Sequence, residues 1–159
     1  ALQCVFDLAL ETGMRLREIY TVNLSQIDLS ARTIFLDKTK NGSKRQVPLS
    51  TVGVSVVKDY LTTRGIAPGP VFPWWNGDLS NDELRRVTSL LSQQFGRVFE
   101  AAGCPDFTFH CLRHEATSRL YERTTLSDLE IAKILGWRSL RVALRYANLR
   151  ASDLSAKMW

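Results

Sequence analysis

Apolar residues at Leu2, Val5, Phe6, Leu8 and Leu10 recur at the spacing of one helix face, and Gly13 breaks the pattern after about residue 11. A second short helix, roughly 15–22, carries Arg15, Glu18, Ile19 and Val22. The period then changes. Residues 26–29, 33–37 and 43–49 are short runs rich in β-branched side chains, and the last two are joined around Asn41-Gly42, a strong hairpin signal. Pro48 has no amide to donate, so the third run ends there or lies at the edge of this small antiparallel sheet.

Helical spacing returns over 51–64, and Gly65 and the Pro68-Gly69-Pro70 loop end it before 71–75. Ser80 and Glu83 read as a capping box for a long helix with Leu84, Val87, Leu91, Phe95, Val98, Phe99 and Ala102 on its apolar side, stopped by Gly103 and Pro105. Helices at 110–123, 127–135 (Ser127 and Glu130 forming another capping box) and 140–148 complete the set. The fold class expected is mainly α with a small three-stranded antiparallel sheet, an α+β arrangement in one domain spanning 1–159.

Composition narrows the partner. Twenty-one Lys and Arg against 16 Asp and Glu give a formal charge of +5, which favours an anionic ligand, nucleic acid first. Three cysteines, Cys4, Cys104 and Cys111, lack zinc spacing and cannot all pair within the chain, which suits a reducing, cytoplasmic setting. No apolar run reaches the roughly 18 residues of a membrane span, and no secretory leader is present, so no membrane partner is expected. Position 1 already falls inside a helical pattern with no initiator methionine, which reads as a fragment of a longer protein.

Four motifs carry candidate chemistry. In Thr12-Gly13-Met14-Arg15-Leu16-Arg17-Glu18, Arg15 and Glu18 share a helix face. Lys40 sits at the predicted hairpin tip, mobile enough to enter a ligand site, although tip lysines are commonly only solubilising charges. In Phe109-His110-Cys111-Leu112-Arg113-His114, His110 and Arg113 present to one side, while His114 is read as pointing elsewhere, a hydrogen-bonded core residue. Gly136-Trp137 is followed nine positions later by Tyr146, within a segment whose spacing alone suggests core.

Taken in order, Arg15, Lys40, His110-x-x-Arg113, Gly136-Trp137 and Tyr146 resemble the signature of the tyrosine site-specific recombinases of the phage-integrase family, over nearly the whole chain. The resemblance implies the catalytic-domain fold of DNA breaking-rejoining enzymes, with the N-terminal core-binding domain not included, and a site-specific recombinase or integrase acting on double-stranded DNA. It implies that Tyr146 attacks a phosphodiester and becomes joined to the 3′ phosphate. Arg15 and Arg113 would grip the non-bridging oxygens, a task suited to forked guanidinium groups. Lys40 would protonate the departing 5′ oxygen, and His110 would bond the phosphate and assist proton movement at a phenol whose ordinary pKa is about 10. Trp137 stands where many members carry histidine; an indole donates one hydrogen bond and titrates no proton, so it would position phosphate and pack on the Tyr146 helix. Glu18 and His114 would support the pocket. No cofactor, metal or ATP is implied.

Asn148 also replaces a frequent histidine, without evident catalytic consequence. Past the nucleophile, Leu154, Met158 and Trp159 form an apolar pattern that either packs on this domain or docks on a neighbouring copy in a DNA-bound tetramer. A type IB topoisomerase shares much of the same side-chain set, and a DNA-binding module without catalysis is the rival of another class.

Overall fold

Helix α1 (Leu2–Thr12) buries Cys4, Val5, Leu8 and Ala9 along the face its periodicity predicts and closes at Gly13, where φ is 63° and the amide donates to Ala9 at 2.9 Å. A Cβ at Gly13 would press into Leu135 Cδ2, so glycine here provides both the left-handed turn and room for a distant helix. The structure is a computed structural model that describes residues 1–37 and 44–150, with side chains described up to 146. The hairpin tip with Lys40 and Asn41-Gly42, and the tail from residue 151, lie outside the described residues.

Helix α2 (Leu16–Tyr20) is shorter than its pattern suggests. The Thr21 hydroxyl donates back to Arg17 O at 2.7 Å, and Asn23 opens a 3-10 turn, Leu24–Gln26, in which Gln26 Oε1 accepts the Asn23 amide at 2.8 Å. That turn absorbs the start of the first predicted strand and leaves β1 (Ile27–Asp28) with two residues. β2 (Thr33–Leu36) and β3 (Arg45–Pro48) extend an antiparallel sheet of order β1-β2-β3, with Ile34 opposite Val47. Pro48 is the last residue of an edge strand, where its missing donor is harmless.

Ser50 caps α3 (Thr51–Arg64) by accepting the Gly53 amide at 3.0 Å. Residues 71–75 are irregular; Val71, Phe72 and Trp75 are buried. In α4 (Asn81–Ala101) Leu84, Val87, Leu91, Phe95 and Phe99 face inward, but Val98 is 46% exposed because it lies a third of a turn from Phe99. The Ser80 box is half made: its hydroxyl accepts from Glu83, while the Glu83 carboxylate turns to Arg86. α5 (Phe109–Arg123) and α6 (Asp128–Leu135) follow, and the Ser127–Glu130 box is complete. The segment Leu140–Arg150 is a 3-10 helix where an α-helix is predicted. Its tighter winding sets residues three apart on one face, and Ala143 and Tyr146 are buried while Leu144 is 76% exposed.

The fold is therefore mainly α-helical with one three-stranded antiparallel sheet. One large core joins α1 to α4, the sheet and the first turn of α5; a smaller one holds Tyr121, Ile131, Leu135, Ala143 and Tyr146. Among the described residues no helix is long and apolar enough to cross a membrane.

Candidate active site

A helix leaves four carbonyls without internal partners at its C-terminus, and the last turn of α6 accounts for all of its own. Trp137 N donates to Ala132 O at 2.9 Å and Gly136 N to Lys133 O at 3.3 Å. Arginines arriving from elsewhere take the other two: Arg45 Nε donates to Ile134 O at 3.1 Å and Arg113 Nη2 to Leu135 O at 2.6 Å. Arg113 Nη1 also donates to Gly13 O, just past α1, at 2.5 Å. The guanidinium on α5 is thus fixed between the C-terminal ends of two other helices, which favour a cation.

Arg113 is 7% exposed and, among the described residues, has no carboxylate within ion-pair distance. Burial first, and then the charge of Arg15, pull its pKa down to about 10, so it remains protonated at neutral pH. Three of its five N–H donors remain beyond the two carbonyl bonds.

Glu18 is the anion of the region. Its Oε2 accepts the Arg15 amide at 2.8 Å, and Oε1 accepts Arg15 Nη1 at 3.1 Å. Arg45, on β3, meets both carboxylate oxygens at 2.8 and 3.0 Å. Burial pushes the Glu18 carboxyl up, but the Arg45 hydrogen bonds and charge, with the Arg15 amide and charge, outweigh it and hold the group below its ordinary range. Among the described residues, three guanidinium groups (Arg15, Arg45, Arg113) against the one carboxylate bonded to them leave two positive charges without a carboxylate.

His110 and Tyr146 complete the neighbourhood. Burial, then His114, Arg113 and Arg15, depress the His110 pKa, which places its ring among these cations and favours the neutral form. Tyr146 is 7% exposed, stacked between Tyr121 (centroids 5.5 Å, 5°) and Trp137 (6.0 Å, 17°). It is close enough to Arg113 for a phenolate charge to raise the guanidinium pKa. Its hydroxyl lies 2.7 Å from His114 Nδ1, and the His114 ring meets His110 edge-on at 4.8 Å.

Arg15, His110, Arg113, Trp137 and Tyr146 are therefore brought together, with Glu18 and His114 bonded to members of the group. Lys40 lies outside the described residues. The expectation for His114 is corrected: it is exposed, not core, and it faces the same way as His110 because residues four apart stack on one helix face. Arg45 is the residue that motif reading missed. The alternation of β3 held its signal, since Arg45 shares a strand face with the buried Val47 and Leu49.

The phage integrase family model matches residues 1–153. A shufflon-specific DNA recombinase of Escherichia coli is 37% identical over 158 residues, which cover 99% of this chain and 37% of that protein. The chain thus spans just over a third of that relative's length. Among solved structures, the XerH site-specific recombinase bound to its palindromic difH substrate superposes with a TM-score of 0.70 at 22% identity, over 99% of this chain and 45% of that one. The catalytic domain of bacteriophage HP1 integrase superposes with a TM-score of 0.59 at 20% identity, over 98% of this chain and 80% of that domain. These likenesses establish a tyrosine-recombinase catalytic-domain fold. With this fold, and with the family model matching nearly its whole length, the chain belongs to the phage integrase family.

Proposed function

We propose that the chain is the catalytic domain of a site-specific DNA recombinase that cuts and rejoins double-stranded DNA through a covalent 3′-phosphotyrosine at Tyr146. The observation that carries this reading is Arg113: among the described residues this buried cation has no carboxylate, and the helix-end carbonyls that hold it offset its charge only in part, which leaves it suited to an anionic ligand. The two positive charges without a carboxylate match the negative charge that gathers on a phosphoryl group under attack. Arg15, 31% exposed at its side chain, and Arg113 from within would hold the two non-bridging oxygens, with His110 as a further donor. Trp137 sets the plane of the Tyr146 ring, Glu18 orients Arg15, and Lys40 is assigned the proton given to the 5′ oxygen. Assembly into a tetramer on DNA through residues 150–159, and work at the nucleoid in the cytoplasm, belong to the same proposal.

The test uses a nicked duplex library with a randomised central segment, from which the cut end diffuses away and traps the covalent state. SDS-resistant protein–DNA adducts are expected from the wild type. Their loss by more than about 10³-fold is expected in Tyr146→Phe, which removes the nucleophilic oxygen. A library that yields no wild-type adduct refutes the proposal.

A further inference from the structure

A buried phenol must place its O–H proton on some acceptor, and His114 Nδ1, 2.7 Å away, is in position to take it. We infer that His114 is the base that removes the proton from Tyr146 during cleavage and returns it during rejoining. The inference rests on the reading of Tyr146 as nucleophile and goes beyond it, because it gives the proton step to the second histidine of the motif and leaves His110 to the phosphate.

Three features of the site support this. The ring stack of Tyr121 and Trp137 fixes the phenol plane, so the approach of Oη to Nδ1 is set by packing as well as by the bond. His110 is exposed too, but partial burial, and then the charges of His114, Arg113 and Arg15, lower its pKa and so disfavour a proton on its ring. His114 is exposed, so solvent is at hand for a charge formed on its ring.

The step balances. The Oη–H bond of Tyr146 breaks and its proton goes to the Nδ1 lone pair; the oxygen's electron pair forms the bond to phosphorus. The bond from phosphorus to the 5′ oxygen breaks, and that oxygen takes a proton from the general acid assigned above. In rejoining, the 5′ hydroxyl returns its proton to that general acid as its oxygen bonds to phosphorus, the bond from phosphorus to the Tyr146 oxygen breaks, and the departing phenolate recovers its proton from the His114 imidazolium.

The experiment uses a duplex recovered from the adduct selection and follows the rate of covalent complex formation. His114→Asn keeps a polar atom near the place of Nδ1 but cannot accept a proton. It is expected to slow adduct formation about 10²-fold, the usual share of a general base, with DNA binding unchanged. Replacing Tyr146 in that variant by a ring-fluorinated tyrosine, whose phenol is more acidic, is expected to restore at least about tenfold, since a more acidic nucleophile needs its base less. His114→Gln serves as a second variant, and thermal melts show that each is folded. Wild-type rates in His114→Asn and His114→Gln overturn the inference, and so does a loss that the acidic phenol leaves unrestored, which marks a purely positional role. In both cases the Tyr146 adduct itself still forms in the wild type, so the nucleophile assignment stands; absence of any wild-type adduct removes both.

Discussion

Replacing Arg45 by Met keeps much of the side-chain length and removes every charged contact it makes. Two hydrogen bonds to Glu18, at 2.8 and 3.0 Å, and one to Ile134 O, at 3.1 Å, are lost together. Both partners of the ion pair are 6% exposed at their side chains, so water cannot replace the missing donor. Removing one member of such a pair typically costs about 3–5 kcal/mol, because the other charge stays buried. Glu18 keeps Arg15 Nη1 at 3.1 Å and the Arg15 amide at 2.8 Å, which sets the expectation at the lower end, about 3 kcal/mol. At about 2–4 °C per kcal/mol for a domain of this size, the melting midpoint falls by about 6–12 °C. The assay is a calorimetric melt of wild type, Arg45→Met, Glu18→Leu and the double variant. Since the double variant leaves no lone charge where the pair stood, it is expected to melt no lower than Arg45→Met, a coupling on the order of 2 kcal/mol. A midpoint for Arg45→Met within about 2 °C of wild type, or strict additivity across the cycle, would show that the pair is solvated and the reasoning wrong.

Gly13→Ala is expected to cost at least about 2 kcal/mol in a urea titration, since the left-handed backbone is penalised and the new methyl meets Leu135. Glu18 is depressed below its ordinary value of 4.5 in the folded state; its contribution is complete above that pH and is lost as pH falls through the lower folded value. The gap in urea midpoint between wild type and Glu18→Gln should therefore be widest near neutrality and shrink below about pH 4.5. Burial pushes the Cys4 thiol up to about 12, while the Thr108 amide, and then its hydroxyl, lower that of Cys111. Iodoacetamide at pH ~8 should accordingly label Cys111 before Cys4, with Cys4 modified only on unfolding, as read by peptide mass spectrometry. Gly136→Ala would set a Cβ 2.7 Å from Arg45 Nη1 at a φ of +67°; its cost in melts should drop to the backbone part, about 1–2 kcal/mol, when Arg45 is already Ala.

The helices were legible because each must bury one stripe, and the stripe is written at fixed spacing; Leu84, Val87, Leu91 and Phe95 need no tertiary information. The 3-10 winding of Leu140–Arg150 was not, since Ala143 and Tyr146 also sit within the tolerance of an α-helical pattern. Motif order led to Arg15, His110, Arg113 and Tyr146, but it is silent on what each touches. The place of His114 beside His110 follows from the one-turn spacing, but its exposure and its bond to Tyr146 depend on the fold. No motif in the sequence singles out Arg45. Its partners, Glu18 and the Ile134 carbonyl, are 27 and 89 positions away, and only folding reveals that the inward face of β3 meets them.

The three arginines differ by what neutralises them, and that difference sorts structure from chemistry. Arg45 is matched by a carboxylate on two prongs and a carbonyl on the third, so its charge is spent on holding β3 to α2 and α6. Among the described residues, Arg113 is held by two carbonyls and no carboxylate. Two helix ends each present about half a negative charge, which offsets the cost of burying a cation without supplying an anion that a ligand would first have to displace. Arg15 falls between, its guanidinium bonded once to a shared Glu18 and its side chain still partly open to solvent. A phosphate arriving between Arg15 and Arg113 therefore meets donors that are already oriented and only partly satisfied, which is the arrangement in which electrostatic stabilisation requires least rearrangement during reaction. The glycines at 13 and 136 belong to this same arrangement. Each ends its helix in a left-handed turn, and the carbonyl of Gly13 itself and that of Leu135, just before Gly136, are both claimed by Arg113, so the punctuation of two helices is also what aims the guanidinium.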